Sequence, residues 1–155
     1  MATQSIRSAV VGDADRIATL VTRAYSKWIA VIGRRPKPML ADYRRAVAEH
    51  LVDVVEDVES GGLAAVIELV PGPDHMLVEN IAVDPEWQRQ GMGRTLLRHA
   101  ETVARNGGLT EMRLYTNALM RSNIDLYEGL GYVVTERRRI EKLDTTVFYM
   151  SKILD

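Results

Sequence analysis

The sequence contains no cysteine, a single phenylalanine and only three histidines. Without cysteine there can be no disulfide, no thiolate metal site and no Cys nucleophile to carry an acyl group between two half-reactions. His50, His75 and His99 lie far apart, with no HExxH-type spacing, so no metal site is assigned. An excess of one charge is missing too. Lys and Arg number 20 against 21 Asp and Glu, a formal net charge of −1. That balance speaks against a nucleic-acid partner, which normally demands a basic excess. No apolar run approaches the ~20 residues of a membrane-spanning helix, and the opening MATQSIRSAV lacks the apolar core of a signal peptide. A soluble, cytoplasmic protein with no membrane partner is expected.

What is present suffices for one folded domain over residues 1–155. The 155 residues are 46% hydrophobic, enough to bury a sizeable core. No internal repeat, linker or low-complexity tract interrupts them. Ile6–Val11 reads as a strand ended by Gly12. Asp13 is a candidate N-cap for a helix in which Ile17, Leu20, Val21, Ala24 and Tyr25 recur at helical spacing to about Lys27. Trp28–Met39 breaks that pattern with a glycine and two prolines, and helical spacing resumes from about Leu40 through Tyr43, Val47 and Leu51. Val52–Glu59 and Leu63–Val70 form a predicted hairpin about Ser60-Gly61-Gly62, and Met76–Val83 is the next strand. A helix follows Gly93 and ends at Asn106-Gly107-Gly108. Met112–Thr116, Ser122–Leu130, Val133–Ile140 and Thr145–Lys152 then read as strand, helix and a final pair of strands. The order β-α-α-β-β-β-α-β-α-β-β predicts an α/β fold with a mixed sheet of about seven strands and helices on both faces.

The chemistry centres on Met76–Leu97, MLVENIAVDPEWQRQGMGRTLL. A strand leads through Asp84-Pro85 into Gln88-Arg89-Gln90-Gly91-Met92-Gly93 and then into a helix. Such a turn leaves backbone N–H groups unpaired at a helix N-terminus, where the helix dipole adds positive potential, so phosphate or pyrophosphate is the ligand it suits. Gly91 and Gly93 would let that ligand approach without a Cβ in the way. A dinucleotide fingerprint needs a third glycine, but Leu96 stands there, and a P-loop needs a closing Gly-Lys-Ser/Thr that the chain lacks.

The remaining pattern, Q-x-x-G-x-G after a strand, resembles the acetyl-CoA pyrophosphate loop of the GNAT superfamily of N-acyltransferases. Leu126-Tyr127-Glu128-Gly129-Leu130-Gly131-Tyr132 resembles that family's L-Y-E-x-L-G-F/Y motif, in the expected order and separation. The predicted element order is similar to the GNAT fold from end to end. The resemblance implies acetyl-CoA as cofactor, bound by Gln88, Arg89, Gln90, Gly91, Met92, Gly93 and Arg94, with the backbone of Ile81, Ala82 and Val83 along the acyl-pantetheine arm at a bulge in that strand. Tyr127 is implied as general acid. The family's usual Asn seven residues before that tyrosine is Met120 here. Asn123, one helical turn before Tyr127, is the substitute candidate for cofactor contact, and Asn117 lies further upstream.

An attacking amine must lose a proton, and Glu79 is the acidic candidate for the base. It stands in an otherwise apolar run, where burial would raise its pKa toward that of a working base. With no cysteine, direct transfer in a ternary complex is expected. Resemblance also implies that the segment between the first two helices lines the acceptor site, which offers Tyr25, Trp28, Arg34 and Arg35. The two arginines suit a carboxylate or phosphate on the acceptor, although a solvated basic loop is the simpler and preferred reading; Tyr25 and Trp28 read as core and rim aromatics. The expected function is acetyl transfer from acetyl-CoA to a small-molecule primary amine. Alternatives are a protein N-terminal or lysine acceptor, and a non-catalytic acyl-CoA sensor. The final strands leave room for a homodimer.

Overall fold

The computed structural model describes residues 4–155. Among them, seven strands and four α-helices follow the predicted order. They are β1 (Gln4–Ser8), α1 (Ala14–Ile32), α2 (Tyr43–Glu49), β2 (Leu51–Asp57), β3 (Leu63–Pro71), β4 (Met76–Val83), α3 (Met92–Asn106), β5 (Glu111–Asn117), α4 (Arg121–Gly129), β6 (Val133–Ile140) and β7 (Thr145–Ile153). The sheet is mixed, ordered β1-β2-β3-β4-β5-β7-β6. Pairing is antiparallel for β1–β2, β2–β3, β5–β7 and β6–β7, and parallel for β4–β5. The chain divides into two compact units, one holding the chain up to Leu69 with Asn80–Leu96, the other Val70–Glu79 with Leu97–Asp155.

In the first unit, α1 buries Ala14, Ile17, Leu20, Val21, Ala24 and Tyr25, the three-to-four spacing of one helical face. It runs five residues beyond the predicted end, because Trp28–Ile32 contains no breaker and the helix closes only at Gly33, whose φ of 88° supplies the left-handed turn. The start differs as well. Asp13 occupies the N-cap position of α1, yet its side chain makes no capping bond there. Its buried carboxylate instead accepts from the Val10 N–H (2.8 Å), from both terminal nitrogens of Arg7 (2.8 and 3.0 Å) and from Arg16 (2.6 Å). That turn ends β1 at Ser8, short of the predicted Val11. The Arg7 hydrogen bond, against the opposing effect of burial and with help from Val10 and Arg16, holds the Asp13 carboxyl far below its ordinary pKa. The second predicted helix begins later than expected, at Tyr43. Lys37–Leu40 forms a 3₁₀ turn, and Asp42 caps α2 by accepting from the Arg44 and Arg45 N–H groups.

In the second unit, the parallel ladder joins Met76–Val78 of β4 to Met112–Leu114 of β5. β5 pairs along its whole length with β7, from Glu111↔Ile153 to Asn117↔Val147. Leu97, Ala100, Ala104, Met112, Leu114, Tyr132 and Met150 are buried, and each large apolar side chain so removed from water contributes roughly 1.5–3 kcal/mol. β6 is an edge strand whose Arg137, Arg138 and Arg139 are exposed.

Candidate active site

β4 has the bounds predicted for it, and its residues alternate strictly between buried and half-buried from Met76 to Val83. Glu79 therefore lies on the half-buried side and Asn80 on the buried one. Two tyrosines of the first unit meet at Asn80. The Tyr25 hydroxyl donates to Asn80 Oδ1 at 2.8 Å and lies 3.1 Å from the Ile81 carbonyl. Asn80 Nδ2 donates to the Tyr43 hydroxyl at 3.0 Å, and that hydroxyl donates to the Pro38 carbonyl at 2.6 Å. Sequence reasoning missed Asn80 and Tyr43. The available signal was a lone amide at a buried position of an apolar strand, a residue that must find partners.

Beyond β4, Asp84 ends the strand. Burial would raise its pKa, but Arg23 and the Glu86 N–H together outweigh that and lower it. Arg23 grips the carboxylate at 2.9 and 3.3 Å. The turn that follows is braced from within. Gln88 Nε2 donates to the Val83 carbonyl (3.0 Å) and Gln90 Nε2 to the Glu86 carbonyl (3.3 Å). Those side chains therefore shape the turn. Arg89 and Gly91 both take left-handed backbone angles, φ of 64° and 78°. A Cβ at Gly91 would meet nothing within 4 Å, so the turn opens onto space. The first helical bond of α3 is Thr95 N–H to the Gly91 carbonyl, so the N–H groups of Met92, Gly93 and Arg94 precede the ladder. Arg89 and Arg94 are exposed and pair with no carboxylate among the described residues. Positive charge, open space and free N–H groups fit a pyrophosphate.

Of the predicted acceptor residues, Tyr25 and Trp28 lie within α1, because that helix runs on to Ile32, and only Arg34 and Arg35 fall in the segment after it. Trp28 is half-buried with Lys27 Nζ 5.3 Å from its ring centroid. Arg34 is half-buried and Arg35 exposed, just past the end of α1.

In the second unit, Tyr127 is buried on α4 and its ring lies 6.1 Å from that of Tyr132. Burial pushes the Tyr127 hydroxyl up to about 12, so it stays protonated at neutral pH. The helix closes on Tyr127 itself, whose carbonyl accepts from the N–H groups of Leu130 and Tyr132, with Gly131 at φ 98° making the turn. Asn123, half-buried one turn earlier, donates weakly to Met120 Sδ at 3.7 Å. Met120 is buried. Asn117 is engaged locally, donating to Thr145 Oγ1 (2.7 Å) and accepting from the Leu119 N–H (2.9 Å). Glu79 accepts from the Tyr115 hydroxyl through Oε1 at 2.6 Å, a second contact that sequence reasoning missed. Among the described residues no cluster of His, Asp and Glu could hold a metal ion, and no helix is long and apolar enough to cross a membrane.

A strand ending in an open glycine turn at a helix N-terminus, with a buried protonated tyrosine further along the chain, is the equipment of an acyl-CoA transferase fold. Residues 15–132 match the acetyltransferase (GNAT) family, and the chain belongs to it. Among its relatives, the [ribosomal protein bS18]-alanine N-acetyltransferase of Escherichia coli K12 is 41% identical over 66 residues, 43% of this chain and 45% of that protein. The chain thus spans less than half the length of the curated relatives it matches first. The crystal structure of the Escherichia coli S18-alanine enzyme superposes with a TM-score of 0.75 at 24% identity, covering 98% of this chain and 94% of that one. PaiA N-acetyltransferase of Thermoplasma acidophilum, solved with coenzyme A, gives 0.77 at 18% identity over 99% of both chains. At those identities the likeness establishes the fold.

Proposed function

We propose that the protein is an acetyl-CoA-dependent N-acetyltransferase that acts on a small primary amine by direct transfer. The observation that carries this reading is the Gln88–Gly93 turn. It combines left-handed Arg89 and Gly91, open space above Gly91 and two arginines, Arg89 and Arg94, without carboxylate partners among the described residues, at the entry to a 15-residue helix. Family membership supports acetyl-CoA as the molecule that brings its pyrophosphate there.

When bound, acetyl-CoA supplies a thioester carbonyl for the amine to attack. The backbone N–H groups of Met92, Gly93 and Arg94 hold the pyrophosphate, with Arg89 and Arg94 neutralising its charge. By the family resemblance, backbone of Ile81, Ala82 and Val83 would hold the pantetheine arm, and Asn123 would supply a further polar contact. Glu79 takes the proton of the attacking amine. Tyr127 keeps its own proton and donates a hydrogen bond to the departing sulfur. Full transfer from a phenol at about 12 to a thiolate of pKa about 8.5 is uphill by roughly 5 kcal/mol. Its contribution is therefore a hydrogen bond to the charge that develops on sulfur, which departs as a thiolate and takes its proton from solvent. Trp28, Arg34 and Arg35 form the acceptor side, and the Tyr25 hydroxyl acts through the β4 backbone it holds.

A peptide N-terminus is the second reading for the acceptor, favoured by the relative named for ribosomal protein bS18 alanine. A cytoplasmic location and a homodimer through the β6 edge belong to the same proposal.

The test is release of the CoA thiol from acetyl-CoA with pooled polyamines, amino acids, aminoglycosides, arylalkylamines and short peptides. A thiol reagent reads it directly, since the protein has no cysteine. Release that depends on one pool is expected, and it identifies the acceptor class. Binding of acetyl-CoA with silence in every pool overturns the small-amine reading in favour of a protein acceptor or a sensor.

A further inference from the structure

A carboxylate that accepts a proton from an amine must be held in one place, because a base displaced by an ångström loses much of its advantage. Glu79 has a long side chain with three rotatable bonds, and the structure provides an anchor for it. Tyr115 Oη donates to Glu79 Oε1 at 2.6 Å, a short O–H···O hydrogen bond. The anchor is itself held. Tyr115 pairs directly across the β5–β7 ladder with Tyr149, their ring centroids 6.1 Å apart at 35°. On the other side of β7, Arg138 lies 5.0 Å over the Tyr149 ring and is paired with Glu136 at 2.9 Å.

The register puts these groups on one face. Tyr115 is opposite Tyr149, Tyr149 is opposite Glu136, and Arg138 is two residues along from Glu136. Arg113 shares the face of β5 and is occupied by Glu111 at 2.6 Å. Three contacts thus run in series inward from the edge strand β6, through β7, to β5, and they hold what stands at the far end. That end is the Tyr115 hydroxyl.

We propose that Tyr115 is a positioning residue for the amine-deprotonating carboxylate, with Tyr149 and Arg138 holding its ring in place. The proposal rests on the reading of Glu79 as the base. It assigns no chemistry to Tyr115, which acts only through Glu79.

Two arms test it. The first compares crystal structures of the full chain with and without Tyr115→Phe, a change that keeps the ring contact with Tyr149. A single Glu79 rotamer in the wild type and several in the variant is the expected result. The second is a double-mutant cycle on the acceptor pool that turns over. Tyr115→Phe alone should lower kcat about tenfold and leave the KM for acetyl-CoA unchanged. In a Glu79→Gln background it should lower kcat no further. The same Glu79 rotamer in both structures overturns the proposal, as does an equal loss in both backgrounds, which would make Tyr115 act elsewhere. If Glu79→Gln keeps wild-type kcat, the base assignment falls and takes the catalytic part of the proposal with it. The rotamer comparison separates that failure from a failure of the anchor.

Discussion

Glu79 and Asn80 are neighbours on β4, and the alternation of the strand gives them different work. Asn80 is 6% exposed, and both ends of its amide are hydrogen-bonded within the protein. Glu79 is half-buried, and its carboxylate accepts from the Tyr115 hydroxyl. A buried amide with its partners in place specifies structure, because each partner has only one arrangement that satisfies it. A half-buried carboxylate on the next residue is built differently: it is oriented, but still within reach of water and of a reactant. One strand thus separates a fixing function from a reactive one by a single residue.

The largest effect expected from breaking this pair is on turnover. Glu79→Gln is nearly isosteric and keeps an acceptor for Tyr115, so the fold should be untouched. Removal of a general base typically lowers rate by roughly 10²–10⁴-fold. Measured at limiting amine, kcat/KM should fall at least a hundredfold, with the melting temperature unchanged and the affinity for coenzyme A preserved. An unaltered pH–rate profile would remove Glu79 from the mechanism.

Asn80→Ala should behave oppositely. The Tyr25 hydroxyl retains the Ile81 carbonyl and the Tyr43 hydroxyl retains the Pro38 carbonyl, so neither is orphaned. What is lost is two buried hydrogen bonds and the volume of the amide, together about 3 kcal/mol. For a chain of this size the melting temperature should drop by roughly 5–10 °C. A variant as stable as the wild type would mean that the chain from Tyr25 to Pro38 is ornamental.

The contrast also explains what the sequence made legible. β4 was legible residue for residue, because an apolar run between the Pro71–Asp74 turn and Asp84-Pro85 is a strong local signal. The glycine turn and the start of α3 followed from Q-x-x-G-x-G and the helical spacing after it. The partners of those positions did not follow. Tyr25 lies 55 residues from Asn80, Tyr43 lies 37 away, and Tyr115 lies 36 from Glu79. Pairings over such distances are set by sheet order and register, which no local pattern encodes. Asp13 illustrates the same limit at short range. Its residue type and place suit an N-cap, but Arg7 and Arg16 compete for the carboxylate and win, since a charged donor outbids a helix N–H.

Asp13 is the second buried polar anchor of the first unit, and it sharpens the comparison because its contribution depends on pH where that of Asn80 does not. Its folded pKa is depressed, so the stability it provides is fully present above the unfolded value of about 3.9 and is lost as pH falls through the folded value. Asp13→Asn should reduce stability at pH 7 by about 2 kcal/mol, the net worth of hydrogen bonds to a charged group. In urea titrations the gap between wild type and variant should narrow steadily below about pH 4. A gap that is constant with pH would mean that charge has no part in the network. Asn80→Ala should show the constant gap.

The smallest effect should have the opposite sign. Tyr132 is 1% exposed, and its hydroxyl has no hydrogen-bond partner among the described residues. Burial, with the Glu101 carboxylate and Tyr127 adding to it, pushes that hydroxyl well above its ordinary pKa. Asn80 shows what satisfied burial contributes; Tyr132 shows burial without satisfaction, which carries a penalty of about 1–3 kcal/mol. Tyr132→Phe removes the orphan oxygen and keeps the ring that packs 6.1 Å from Tyr127. Its melting temperature should rise by roughly 2–4 °C. A fall instead would mean that the hydroxyl is bonded in solution, by an ordered water held between it and the Glu101–Lys152 ion pair, whose 2.8 Å contact lies in the same unit.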